Sequence, residues 1–438
     1  MHPEQPPPGS DPQPWTPAAR AFAQSRQEDE YRKLARTFGF DDPKAAYDKL
    51  ARPRMPITYA SPGKYIQHLL DAGFILTEEQ QKQISADFTK MFQHYFSLDP
   101  PTQYEDPNRY SSMVMTFDGL LKAVHQQGKT LSPRPLLATL PSGDVNARIL
   151  REPRSGTPII FFEQALFRFF HDFAVVLGWA FPPISLDQLQ DDAAIVNLLR
   201  RYTRPEVSSE YFASTLYNYV VHGNSLDEES QRLPEAPHNV FMTRHLLQAM
   251  EWFIMGHELA HLMLGHLERD STGNAMHDPW KREHEADVIS LDLMLDLAKA
   301  NQAGWAVNYW ACHLALTLYH YLYRAIAFMQ FGTFEVAWSS PTHPDPASRS
   351  LHLIHYVWRN KLSWRDRVRT RLGLGGTAAG WLRSMTDVTM SSLMEITLPL
   401  LFSAHQRGVR PSPVWSNFIA TNFRCQTGRP NDGSAAGP

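Results

Sequence analysis

The chain has 438 residues, 43% of them hydrophobic and 20% charged, the balance of an ordinary globular protein rather than a disordered or fibrous one. With 42 basic against 45 acidic side chains the formal net charge is -3, so no global field draws it to nucleic acid or to an anionic membrane surface. The two cysteines, Cys312 and Cys425, lie far apart and outside any CxxC pair, which excludes a disulfide framework though not one long-range bridge.

The start, Met1-His2-Pro3-Glu4-Gln5-Pro6-Pro7-Pro8, lacks the basic end and apolar core of a secretion signal, and a cytoplasmic location is expected. Residues 1–18 are rich in proline and cannot bury enough apolar surface to offset chain ordering, so a disordered tail is expected there. From Ala19 onward Tyr65, Leu69 and Leu70, then Ile84, Phe88, Met91 and Phe92, recur at helical intervals and predict a helical N-terminal domain over 19–130. Proline breaks at 99–101 and 132–135 punctuate it.

Two short β-like runs follow, Pro135 to Leu140 and Pro158 to Phe162, separated by turn-rich sequence containing Ser142-Gly143-Asp144 and Ser155-Gly156. Leu166, Phe167, Phe169, Phe170, Phe173 and Val176 then supply one buried helix face. Helices are predicted to dominate to about Ala300, with irregular insertions around 222–238 and 269–280.

The most apolar stretches, Leu246 to Gly265 and Leu314 to Phe331, are interrupted by charged and histidine side chains and read as buried helices. A membrane span needs about 20 consecutive apolar residues. Tyr319, Tyr321 and Tyr323 are read as core rather than as a substrate cage. The predicted fold class is α+β, mostly helical, with a small β-sheet in a central domain over 131–355. A helical C-terminal extension over 356–426 and a loose tail over 427–438 complete the chain.

His257-Glu258-Leu259-Ala260-His261 carries the chemistry. Two histidines four residues apart on a helix face the same way, and their imidazoles can share one ion about 2.0–2.1 Å away, the geometry zinc requires. Glu258, offset around the helix, can reach a metal-activated water without occupying a coordination position and act as general base.

Downstream, Glu283-His284-Glu285-Ala286-Asp287 again places two carboxylates one turn apart. Glu283 is the expected third zinc ligand. Asp287 is expected to orient a ligating histidine, His257, through its other ring nitrogen. His284 and the loop His277 are the competing ligands.

A third histidine ten residues after the first would fall at Leu267, and the glycine that accompanies it at Leu264, which excludes the subclass with three histidines in that arrangement. His266, about 180° around the helix from His257, is expected at the surface or as a cap.

These residues resemble the gluzincin peptidases, and within them the CAAX-prenyl-protease and HtpX group, which pairs HExxH with a later ExxAD helix. The segment Pro341-Thr342-His343-Pro344, with Arg349 beyond it, resembles the group's Thr-His-Pro segment and its later arginine. The resemblance spans about 135–355. It implies a zincin-like metallopeptidase core with His343 stabilising an oxyanion and Arg349 ordering the site. It also implies protein or peptide substrates, bound along a strand edge.

Members of the group usually carry membrane helices, so a soluble variant is expected, with its oligomeric state open. Two other readings are a bacterial conflict or defence effector protease with one host target, and a non-catalytic regulatory module with a structural zinc site.

Overall fold

The computed structural model describes residues 15–43, 62–71, 76–95, 98–141, 145–184, 188, 191–223, 236–267, 278–300, 305–340, 343–363 and 378–424. His277, Thr342, Cys425 and the expected loose C-terminal tail lie outside the described residues, as do residues 1–14.

The architecture is α+β and mostly helical, as the sequence predicts. Helix α1 (Pro17–Phe38) begins with Thr16 accepting from the Ala19 amide and Pro17 in the first turn, and ends on left-handed Gly39. Helices α2 (Pro62–Asp71), α3 (Glu78–Tyr95) and α4 (Pro107–Gln126) follow. Next come β1 (Leu136–Leu140), β2 (Ala147–Arg151) and β3 (Pro158–Glu163).

The sheet order is β1-β3-β2, with β1 parallel and β2 antiparallel to β3. Side chains alternate between two buried faces, as the period of two requires. Leu136, Ala138, Ile159 and Phe161 pack with Ala19 and Ala23 of α1, while Leu137, Ile160 and Phe162 join the main core. The sequence reading placed turns between the two outer runs and missed β2. Its Arg148 and Arg151 disguise an edge strand that pairs antiparallel with β3 just across the turn at 152–157.

Helices α5 (Gln164–Ala180), α6 (Asp192–Tyr202), α7 (Ser209–His222), α8 (Val240–Met263), α9 (Pro279–Ala300) and α10 (Trp305–Phe331) make the bulk of the core. They are followed by β4 (Ala337–Trp338), α11 (Pro346–Asn360), α12 (Ala378–Gln406), α13 (Ser416–Asn422) and β5 (Phe423–Arg424). Among the described residues no helix is long and apolar enough to cross a membrane.

Helix α8 runs through the centre, packed against α4, α5, α9 and α10. Asn239, buried at its start, donates to the carbonyls of Gly178 and Phe181 and accepts from the Ile184 amide, so the helix is tied to the end of α5. Tyr110, Phe117 and Leu120 of α4 share the core cluster that contains Phe253 and Leu291.

The crossing of α8 and α9 is close because Gly256 has no side chain. A Cβ there would stand 2.6 Å from Ser290 Oγ and 3.4 Å from Ser290 Cα. The serine hydroxyl donates to the Phe253 carbonyl, so yielding would break that bond. Gly256→Ala is therefore expected to destabilise the fold by about 1–3 kcal/mol through overpacking, measured by urea unfolding. An unchanged midpoint would show that the two helices separate freely.

Candidate active site

The last turns of α8 carry His257, Glu258 and His261, and α9 presents Glu283, Asp287 and Ser290 to them. His257 Nε2 and His261 Nε2 are 3.1 Å apart. Glu283 Oε2 lies 3.3 Å from the first and Oε1 lies 3.3 Å from the second. Donor atoms at these separations match the edge of a tetrahedron about a single ion, about 3.3 Å for bonds of about 2.0–2.1 Å.

The three residues form a set that could hold a metal ion. Glu283 Oε2 is buried with no hydrogen bond of good geometry among the described residues, its cationic neighbours His257 and Arg349 standing 3.3 and 3.7 Å away, so it keeps a lone pair open to a ligand. The donor set therefore fits a metal.

Behind the donors is a polar layer. His257 Nδ1 is 2.9 Å from Asp287 Oδ1, so the ring donates there and leaves its Nε2 to the donor set. Arg349 grips Asp287 with both arms, Nε to Oδ2 at 2.8 Å and one terminal nitrogen to Oδ1 at 2.6 Å, and its other terminal nitrogen is 3.7 Å from Glu283 Oε2. Burial works against the Asp287 carboxylate, but Arg349 and His257 overcome it and pull its pKa down to about 2. Burial likewise opposes Glu283, yet His257, His261 and Arg349 hold it well below the usual carboxylate range.

Arg349 reaches this layer because α11 starts where it does. Asp345 caps it, Oδ1 accepting from the Ala347 amide at 2.8 Å, with Pro346 in the first turn. The same carboxylate meets His320 Nδ1 of α10 at 3.2 Å.

Glu258 faces the cleft and does not belong to the donor set. Burial raises its pKa, while His257 and His261 act in the opposite direction. His343, half-exposed at the rim, has Nε2 at 3.7 Å from Glu283 Oε1. Its amide donates to Ser340 Oγ at 3.1 Å, and its carbonyl accepts from Trp338 Nε1 at 2.8 Å. Desolvation lowers its pKa and Arg349 adds to this, although Glu283 opposes.

His284 stands outside the donor set and stacks on His352 of α11, ring centroids 4.2 Å apart.

His266 corrects the sequence reading. It is buried, 2% exposed, and its Nδ1 lies 2.8 Å from Nδ1 of His261. Counting 100° per residue placed it on the far side, but α8 ends at Met263 and Gly265 turns left-handed with φ 65°. The chain folds back and brings His266 beneath His261. Both candidate histidine ligands thus have a partner on the ring nitrogen facing away from the donor set.

The site opens into a cleft of about 730 Å³. One wall is the edge strand β2, through Ala147, Arg148 and Ile149. Another is α1, through Glu30, Lys33 and Thr37, and a third is formed by residues 413–422.

Residues 212–360 are similar to the family described as Peptidase U49, a match that takes in α8, α9, His343 and Arg349. It supports a peptidase family and a proteolytic function acting on protein substrates. Neither the curated proteins nor the solved structures contain a match to the chain.

Proposed function

We propose that the chain is a zinc-dependent endopeptidase of the gluzincin type, in which His257, His261 and Glu283 hold the metal. The observation that carries this reading is the convergence of three donors at 3.1–3.3 Å with a separate carboxylate, Glu258, beside them in a substrate-sized cleft. Three protein ligands are the number found in catalytic zinc sites, whereas structural sites fill all four positions. Bound zinc would supply a Lewis acid that lowers the pKa of a water and polarises the scissile carbonyl.

Glu258 takes the proton of the attacking water and passes it to the leaving nitrogen, and its raised pKa suits an acceptor that must later give the proton back. His343 stands at the rim as a neutral ring that can donate to an oxyanion as its charge develops. Asp287, fixed by Arg349, keeps the His257 ring in the tautomer a metal needs.

Elemental analysis with an activity assay tests this reading. One zinc per chain is expected, lost in His261→Ala, with hydrolysis of a denatured protein abolished by chelation and restored by zinc. Cleavage that survives complete metal removal contradicts the reading.

Metal uptake should also release a proton. In the metal-free protein burial and Arg349 oppose a charged His257, but the carboxylates of Asp287 and Glu283 beside it prevail and raise its pKa to about 9. The stability this lends is complete below the unfolded value of about 6.5 and is lost as pH rises through about 9. A metal needs the neutral ring, so apparent zinc affinity is expected to climb from pH 6 to 9. Calorimetry at pH 7 in buffers of different ionisation enthalpy should report about one proton released per zinc; no release would show that His257 is already neutral.

A further inference from the structure

The chain returns to the cleft after α12. The turn Pro413–Trp415 and helix α13 bring Pro413, Asn417, Phe418 and Thr421 into the cavity that holds His257, Glu258 and Glu283. This segment lies beyond the family match, which ends at residue 360.

The segment is fastened in place. Trp415 is fully buried and its Nε1 donates to the Tyr219 carbonyl at 2.9 Å. Strand β5 pairs with β4, setting Phe423 opposite Trp338, and the Ser339 amide donates to the Asn422 carbonyl at 2.8 Å.

Through Phe418 the segment completes an aromatic cluster with Tyr323 of α10 and Trp338 of β4. Tyr323 stacks on Trp338 with ring centroids 5.6 Å apart and packs on Phe418 at 4.4 Å. Unlike Trp415, all three are only partly buried, and all three line the cleft. Trp338 also holds the His343 carbonyl, which places this wall directly beside the reacting centre.

Residues 413–422 contain no charged side chain. Elsewhere in the cleft the walls formed by α1 and β2 carry Glu30, Lys33 and Arg148. The cavity is thus charged on those walls and uncharged on this one, where Phe418 meets Tyr323 and Trp338 next to the polar Asn417 and Thr421.

We propose that Tyr323, Trp338 and Phe418 form the side-chain pocket of the cleft and select an aromatic or branched apolar residue next to the scissile bond. This rests on the peptidase reading above. Its physical basis is that an uncharged aromatic wall cannot repay the desolvation of an ionised side chain, whereas an apolar one gains by burial, roughly 10- to 100-fold in affinity.

The test uses the full chain loaded with zinc and a series of dipeptide hydroxamates differing in one side chain: benzyl, isobutyl, hydrogen or carboxymethyl. Binding is measured by calorimetry, with zinc content checked for each protein. Benzyl and isobutyl are expected to bind roughly 10- to 100-fold tighter than hydrogen, and carboxymethyl no tighter than hydrogen. Phe418→Ala should shrink that advantage to a few-fold. Asn417→Trp, at an exposed position lining the cleft, should weaken benzyl while sparing hydrogen.

Equal affinities across the series, or a preference that both variants leave unchanged, overturn the pocket and leave the metal centre standing. Failure of every hydroxamate to bind fully zinc-loaded protein overturns the pocket and the open catalytic site together.

Discussion

Glu258→Gln is expected to lower peptide hydrolysis by about 10²–10⁴-fold while zinc content stays at the wild-type level. The substitution keeps the shape of the side chain and removes only its capacity to accept a proton. Glu258 lies outside the donor set formed by His257, His261 and Glu283, so the metal has no reason to leave. Its surroundings suit the role, since burial lifts the carboxyl pKa and the neighbouring histidines limit that rise. The check is a paired measurement of zinc per chain and of cleavage rate on the same preparation. Activity within tenfold of wild type would move the general base elsewhere.

The second large effect is expected at Arg349. Asp287 is fully buried and receives two short hydrogen bonds from the guanidinium. Arg349→Ala removes the bidentate counter-charge of that carboxylate and leaves His257 alone beside it, and breaking a buried pair from one side costs about 3–5 kcal/mol. The stability tied to the depressed pKa of Asp287 is present above about pH 4 and is lost as pH falls toward about 2.

Asp287→Asn isolates the orienting role, because it keeps the volume and weakens the grip on His257. Zinc affinity is expected to fall about 10- to 100-fold. Denaturant unfolding of the first variant and a metal competition titration of the second are the measurements. An Arg349→Ala protein as stable as wild type would mean that water replaces the guanidinium and that the site does not depend on it.

The parts of the site legible in the sequence were those set by helix periodicity. His257 with His261, and Glu283 with Asp287, needed only the rule that residues one turn apart share a face, and the structure brings all four together. The cap that starts α11 is also written locally, in Asp345-Pro346.

Three features depend on where the chain goes after an element ends. His266 escaped because Gly265 breaks the helix on which its angle was counted. Strand β2 escaped because Arg148 and Arg151 mask a segment whose ladder is supplied by β3. The wall at 413–422 escaped because its docking rests on Trp415 reaching α7 and on β5 reaching β4, contacts that no local pattern encodes. The same limit applies to α1, whose buried Gln27 donates to Glu105 and to the Thr139 carbonyl and so makes a remote helix part of the cleft.

The most direct test of the account is a proteome-wide comparison of protein N-termini in cells expressing the wild-type chain or Glu258→Gln at equal levels. The account predicts new N-termini with the wild type that are absent with the variant, abolished likewise by His261→Ala. Identical N-termini in all three, from a wild-type chain carrying stoichiometric zinc, would contradict it.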